Sequence, residues 1–241
     1  MVSSVPQHKE LKKMIEVVRS IVFPDFFPST QPLELQLRAV LTYQLSTVID
    51  DTEKAAQLAR DFVKALPEIT RLLHTDVDAV LTNDPACESR AEVVYCYPVV
   101  RVMLFYRTAH QLLLMGVPLL PRMLTEIAHS ETGIDIHPAA TIGDHFCIDH
   151  GTGVVIGATS IIGSNVCIYQ GVTLGAKNFQ RDSDGNPVDA PRHPIIEDNV
   201  TIYSNTSVLG RITIGHDTVV GGNIWLTHDV PPHSHVLQEI K

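Results

Sequence analysis

The chain has 241 residues, 44% of them hydrophobic and 19% charged, with a net charge of −9. Such a composition supports a sizeable core and excludes wholesale disorder. The acidic balance excludes a general attraction to nucleic acid or anionic membrane. The four cysteines (Cys87, Cys96, Cys147, Cys167) follow no metal-ligand or disulfide-framework spacing, so a reduced, cytoplasmic setting is expected. The N-terminal run MVSSVPQHKELKK lacks the apolar centre of a signal peptide. The stretch from Val99 to Leu120 is interrupted by Arg101, Arg107 and His110. A bilayer span needs about 20 mostly apolar residues, so this one reads as a buried helix.

Residues 1–133 hold only two of the 14 glycines and read as helices. Leu33, Leu37, Val40, Leu41, Leu45 and Val48 recur at spacings of three and four, the mark of one helical face. Asp51 or Thr52 caps the next predicted helix, which runs through Ala55, Leu58, Ala59, Phe62 and Val63. Pro67 is expected to start a further helix at its first turn. Pro98 opens a long apolar helix that Gly116-Val117-Pro118 should end or bend.

From residue 134 the grammar changes. A large aliphatic residue returns every six positions at Ile136, Ile142 and Ile148. After a two-residue offset it resumes at Ile156, Ile162, Ile168 and Leu174. After a long interruption it returns at Ile196, Ile202, Val208, Ile214, Val220 and Leu226. A period of six fits neither a helix nor a hairpin meander. It fits a short strand and a corner, three of which make one triangular coil of a parallel β-solenoid. The aliphatic residues fill the prism, and each coil buries its inner face only against its neighbours. The interruption, GAKNFQRDSDGNPVDAPRHP, is polar and rich in Gly and Pro, so it must project as a loop.

Chemistry concentrates at the corners. Asp149-His150 falls in a corner of the first coil, and Asp135 lies 15 residues earlier. With about 18 residues per coil, Asp135 is expected near enough to orient the His150 ring as a general base. Arg192-His193 closes the projecting loop with a cation and a second imidazole. No Gly-x-Ser-x-Gly elbow is present and no cysteine has a basic neighbour, which favours direct transfer over a covalent enzyme intermediate. His216, His233 and His235 read as solvated corner or tail residues, and Asp84-Pro85 by itself reads as a turn or a helix start.

These landmarks carry a resemblance. Asn83-Asp84-Pro85-Ala86, Tyr106-Arg107, Asp135-Ile136-His137-Pro138-Ala139-Ala140, Ile148-Asp149-His150-Gly151-Thr152-Gly153, Gln170-Gly171-Val172-Thr173-Leu174-Gly175 and Arg192-His193-Pro194 together resemble the serine O-acetyltransferases among the hexapeptide-repeat acyltransferases. The resemblance implies an α+β protein in three parts. Residues 1–133 would form an α-helical domain for oligomerisation that shares in the substrate site. Residues 134–232 would form a left-handed parallel β-helix with a projecting loop at 176–195. Residues 233–241 would form a tail.

It also implies acetyl transfer from acetyl-CoA to L-serine, the first step of cysteine synthesis, with no metal. His150 would be the base and Asp135 its orienting partner. Asp84 and Asp149 would receive the serine ammonium group, with Pro85 beside them in the substrate site, and Arg192 and His193 would bind its carboxylate. Gly175, Ala176, Ser204 and Gly222 would meet the CoA. The implied assembly is a homotrimer with active sites between prisms, or a hexamer of two trimers. Cysteine would act as feedback inhibitor. The family's longer tail ends in isoleucine and docks into O-acetylserine sulfhydrylase, whereas here Ile240 is penultimate and followed by Lys241. Two other readings stand beside this one. The first is acetylation of another small hydroxyl compound, homoserine or a sugar. The second is a zinc-dependent hydratase resembling γ-type carbonic anhydrases, with His145, His150 and His193 as ligands.

Overall fold

The structure, a computed structural model, describes residues 5–178, 181–186, 188 and 190–238. The helices are α1 (His8–Val22), α2 (Leu33–Ser46), α3 (Thr52–Asn83), α4 (Arg90–Cys96), α5 (Pro98–Leu114) and α6 (Leu120–Thr132). None is long and apolar enough to cross a membrane. Leu37, Leu41 and Leu45 of α2 are fully buried, as their spacing predicts. Asp51 caps α3 by accepting the backbone N–H groups of Glu53 and Lys54, each at 3.0 Å. Pro98 is the first residue of α5, and Gly116, at φ +75°, follows its end.

Pro67 departs from expectation. It does not start a helix but lies inside α3, which runs unbroken for 32 residues. Pro67 is solvent-exposed, so the carbonyl that its ring leaves without a partner is open to water. The buried stripe of Ala55, Ala59, Phe62, Leu66, Ile69 and Leu73 carries the helix across it.

The strands wind as a parallel solenoid. Coil one is β1 (Asp135–Ile136), β2 (Thr141–Ile142) and β3 (Cys147–Asp149), and coil two is β4 (Val155–Ile156), β5 (Ile161–Ile162) and β6 (Cys167–Tyr169). Coil three is β7 (Thr173–Gly175), β8 (Ile195–Ile196) and β9 (Thr201–Ile202), with the projecting loop between β7 and β8. Coil four is β10 (Ser207–Leu209), β11 (Thr213–Ile214) and β12 (Val219–Val220), and the last coil holds β13 (Trp225–Leu226) and β14 (His235–Val236). The strands stack into three parallel faces, β1-β4-β7-β10-β13, β2-β5-β8-β11 and β3-β6-β9-β12-β14. All thirteen aliphatic residues of the hexad rhythm are buried inside the prism. The coils therefore continue past Pro232, where a tail is expected, because β14 pairs with β12 through Val219↔His235 and Val220↔Val236. Ile240 and Lys241 lie outside the described residues.

Coil one docks on the helices through a ladder of side chains. Tyr106 Oη donates to the Ala140 carbonyl at 2.6 Å, and His110 Nδ1 donates to Pro138 at 2.7 Å. Arg107 donates to the carbonyls of Ile142 (3.3 Å) and Gly143 (2.7 Å), and holds Asp76 with two bonds of 2.7 Å. Thr75 Oγ1 and Asp76 Oδ1 accept the His145 and Phe146 amides at 3.1 and 3.2 Å.

Candidate active site

Each prism edge is a column of corners, and the sequence-derived candidates divide between two of them. On the edge joining the third face to the first, coil one carries the two-residue offset. His150 takes φ +56° there, followed by Gly151 (+88°) and Gly153 (+80°). This enlarged left-handed corner presents the His150 side chain to solvent, 73% exposed, with Asp149 Oδ1 at 4.0 Å from Nδ1. Asp84, on the loop after α3, lies near enough for the charge of His150 to act on it. Its carboxyl is held below the usual range first by a hydrogen bond from the Tyr97 hydroxyl, next by the Ala86 amide at 2.8 Å, and also by His150. Pro85 follows, exposed, in the same loop.

Higher on this edge, Asp149 pairs with Tyr169, Tyr169 stacks on Tyr203 with ring centroids 4.8 Å apart, and Ser204 packs under Gly222. A Cβ on Gly222 would meet the Ser204 carbonyl at 3.1 Å. Two of the CoA candidates thus stand in line above the imidazole, at about 4.8 Å per coil.

The second group stands on the edge joining the first face to the second. Thr159 is its hub. Its hydroxyl accepts the amides of Arg192 and His193 at 2.9 and 3.0 Å. Its own amide donates to His193 Nδ1 at 3.1 Å, with the hydroxyl also 2.8 Å from that nitrogen. Nδ1 therefore accepts, which puts the ring proton on Nε2. Arg211 clamps the turn by donating to the carbonyls of Thr159 (2.7 Å) and His193 (3.0 Å). The His193 ring lies over Gly157, where a Cβ would fall 2.0 Å from Cδ2. Burial, then Arg192, His137 and Arg211, push the His193 imidazole down to about 4. It is neutral at pH 7 and can offer a carboxylate an N–H but no charge; the cations acting on it are Arg192 and Arg211. Gly175 accepts the Gly210 amide at 3.0 Å on this same edge, and Ala176 follows it into the loop.

Asp135 does not meet His150 within one chain. Among the described residues its ion-pair partner is Arg122, at 3.7 Å. The reason is register. The enlarged corner makes coil one 20 residues long, pairing Asp135 with Val155, so a separation of 15 leaves His150 at the preceding corner. Asp135 instead belongs with the second group, since its charge and that of Arg192 both act on His137, whose pKa is lowered mainly by burial. The proposed zinc ligands do not converge either. His145 stands on the remaining edge, beside Asp144 at 3.5 Å, so His145, His150 and His193 occupy three different edges.

Tyr97, Thr159 and Arg211 are absent from the sequence-derived set. Their roles come from contacts across coils and helices that no local motif records.

A helix-capped parallel β-solenoid built on a six-residue period, with a solvent-facing corner imidazole, defines a protein of the hexapeptide-repeat class. Residues 5–97 match the family described as serine acetyltransferase, N-terminal. The plasmid serine acetyltransferase of Synechococcus elongatus is 53% identical over 188 residues, 78% of this chain and 59% of that protein. The Bacillus subtilis serine acetyltransferase is 41% identical over 167 residues, 69% of this chain and 73% of that one. Serine acetyltransferase isoform 3 of Entamoeba histolytica, solved in complex with cysteine, superposes with a TM-score of 0.84 at 34% identity. That match covers 99% of this chain and 84% of the other. The chain belongs to the serine acetyltransferase family.

Proposed function

We propose that the chain transfers the acetyl group of acetyl-CoA to the hydroxyl of L-serine, within a site closed between two protomers. The observation that carries this reading is the exposed His150 imidazole in its enlarged corner, flanked by Asp149 and Asp84. His150 takes the proton from the serine hydroxyl as its oxygen attacks the thioester carbonyl. The tetrahedral centre then collapses, the C–S bond breaks, and the imidazolium returns the proton to the CoA thiolate. Asp84 and Asp149 attract the serine ammonium group.

One chain keeps its carboxylate-binding pair, Arg192 and His193, on another edge. A complete pocket for a zwitterion therefore needs the His150 edge of one prism against the Arg192 edge of the next, as in a homotrimer. In that arrangement Asp135 arrives with the second edge and orients the imidazole. Ser204 and Gly222 on one wall, and Gly175 and Ala176 on the other, line the path of the CoA arm. Cysteine matches serine in size and in both charges, so it competes for the same pocket.

The test is CoA release with serine, homoserine and a sugar acceptor, in the native chain and in His150→Ala. Serine should be the preferred acceptor. His150→Ala should lose about 10²–10⁴-fold in turnover while keeping its fold. Native-level turnover in the variant would overturn the assignment of the base.

A further inference from the structure

The third prism edge, between the second and third faces, carries neither half of the proposed active site. Every coil turns there through one left-handed residue, at His145, Asn165, Asn199, Asp217 and His233 with φ between +53° and +59°. Asn and Asp tolerate this conformation better than most residues, so the column becomes a ladder of polar side chains. Asn165 Nδ2 donates to Asn199 Oδ1 at 3.2 Å, and Asn199 Nδ2 donates to Asp217 Oδ1 at 3.0 Å. The ladder leaves Asp217 Oδ2 for two imidazoles. His216 Nδ1 is 2.7 Å from it and His233 Nδ1 is 3.6 Å from it. The two rings meet edge-on with centroids 4.9 Å apart.

We propose that His216, Asp217 and His233 bind one transition-metal dication of the zinc, nickel or copper class. One ligand atom from each residue falls within 4.8 Å of the others. Metal–ligand bonds of about 2.0–2.2 Å place neighbouring ligands roughly 3.3–3.6 Å apart around a tetrahedral ion, a small rotamer adjustment from the geometry present. Two imidazoles and one carboxylate suit a borderline-soft cation, not magnesium or calcium. All three side chains are exposed, which leaves room for a water as fourth ligand and an open route in. Asn199 holds the carboxylate from behind, as outer hydrogen bonds do at metal sites. The His216 amide is itself anchored to Glu197 Oε2 at 2.8 Å.

The site joins coil four, through His216 and Asp217, to the last coil, through His233. Terminal coils of a solenoid lack one neighbour and open first. A bound cation would clip the last coil in place. The amides of Val219 and Gly221 report on this, since they donate to the carbonyls of Ser234 and Val236 across that boundary.

The experiment uses the full chain without an affinity tag, dialysed against chelator and titrated calorimetrically with zinc chloride. One saturable equivalent is expected, with slower hydrogen exchange at Val219 and Gly221 once zinc is bound. His216→Ala/His233→Ala should abolish both effects. Asn199→Gly keeps the left-handed turn and loses only the supporting amide, so it should weaken binding about 10–100-fold. His129→Ala, which breaks the separate Glu126–His129–Asp135 group, should bind zinc as the native chain does. Absence of a saturable site would overturn the proposal. So would undiminished binding in the double variant, or loss of binding in His129→Ala.

Discussion

Mixing two inactive variants should restore activity to about a quarter of the native level. His150→Ala removes the proposed base from one edge, and Arg192→Ala removes the proposed carboxylate-binding cation from another. Each homo-oligomer then has one defect in every site. In a mixed ring, a site is intact wherever an Arg192→Ala protomer supplies its His150 edge to the Arg192 edge of a His150→Ala protomer. Random assembly at equal amounts makes that pairing at about one interface in four. The fraction is the same whether or not trimers pair into hexamers. The assay is CoA release by coexpressed variants carrying different tags, against each variant alone and against variants mixed after folding. If both edges served one chain's own site, no mixed species would hold an intact set, and activity would stay at the level of the single variants. That result would refute the division of the site between protomers.

Tyr97→Phe removes the hydroxyl that fixes Asp84. A hydrogen bond to a charged group is worth about 1.5–3 kcal/mol, so KM for serine should rise about tenfold or more while kcat changes less. Equal losses in both would point to a defect of fold. Arg107→Met strands the buried Asp76 carboxylate and should cost about 3–5 kcal/mol in urea unfolding; a loss below about 1 kcal/mol would show that the pair does not hold the docked coil. His193 titrates near 4 in the folded chain against an ordinary value of 6.5. Below 6.5 the unfolded chain takes a proton that the folded chain refuses until about 4. Its contribution to stability is therefore complete above 6.5 and falls as pH drops through that window. Thermal midpoints between pH 8 and pH 4 should show this slope, and His193→Asn should flatten it.

The prism was legible because a coil's inner face admits one pattern, and Ile136 to Leu226 repeat it. The His150 corner was legible because an offset in that rhythm marks an enlarged turn. That Asp135 does not reach this imidazole within one chain was not, because the same offset lengthens coil one to 20 residues and moves Asp135 out of step with His150. Pro67 was misread because local propensity argues for a break, whereas the buried stripe on either side holds α3 straight through. β14 was missed because His235-Val236 carries no aliphatic hexad after it to extend the count. Thr159 was invisible as a hub: a threonine in a solenoid turn is unremarkable until Arg192 and His193 return to it from 33 and 34 residues away.

The side chains that hold coil one have a consequence for dissecting this molecule. Thr75, Asp76, Tyr106, Arg107 and His110 satisfy backbone groups between Pro138 and Phe146, and those of Ala140, Ile142 and His145 are groups whose coil-two equivalents, Ser160, Ile162 and Asn165, pair with coil one. The helices thus act as a plug that stops the column from growing at that end. A fragment starting at residue 134 would bare a raw sheet edge, ready to zip onto a second fragment. Such a truncation would yield fibrous stacks in place of a minimal enzyme.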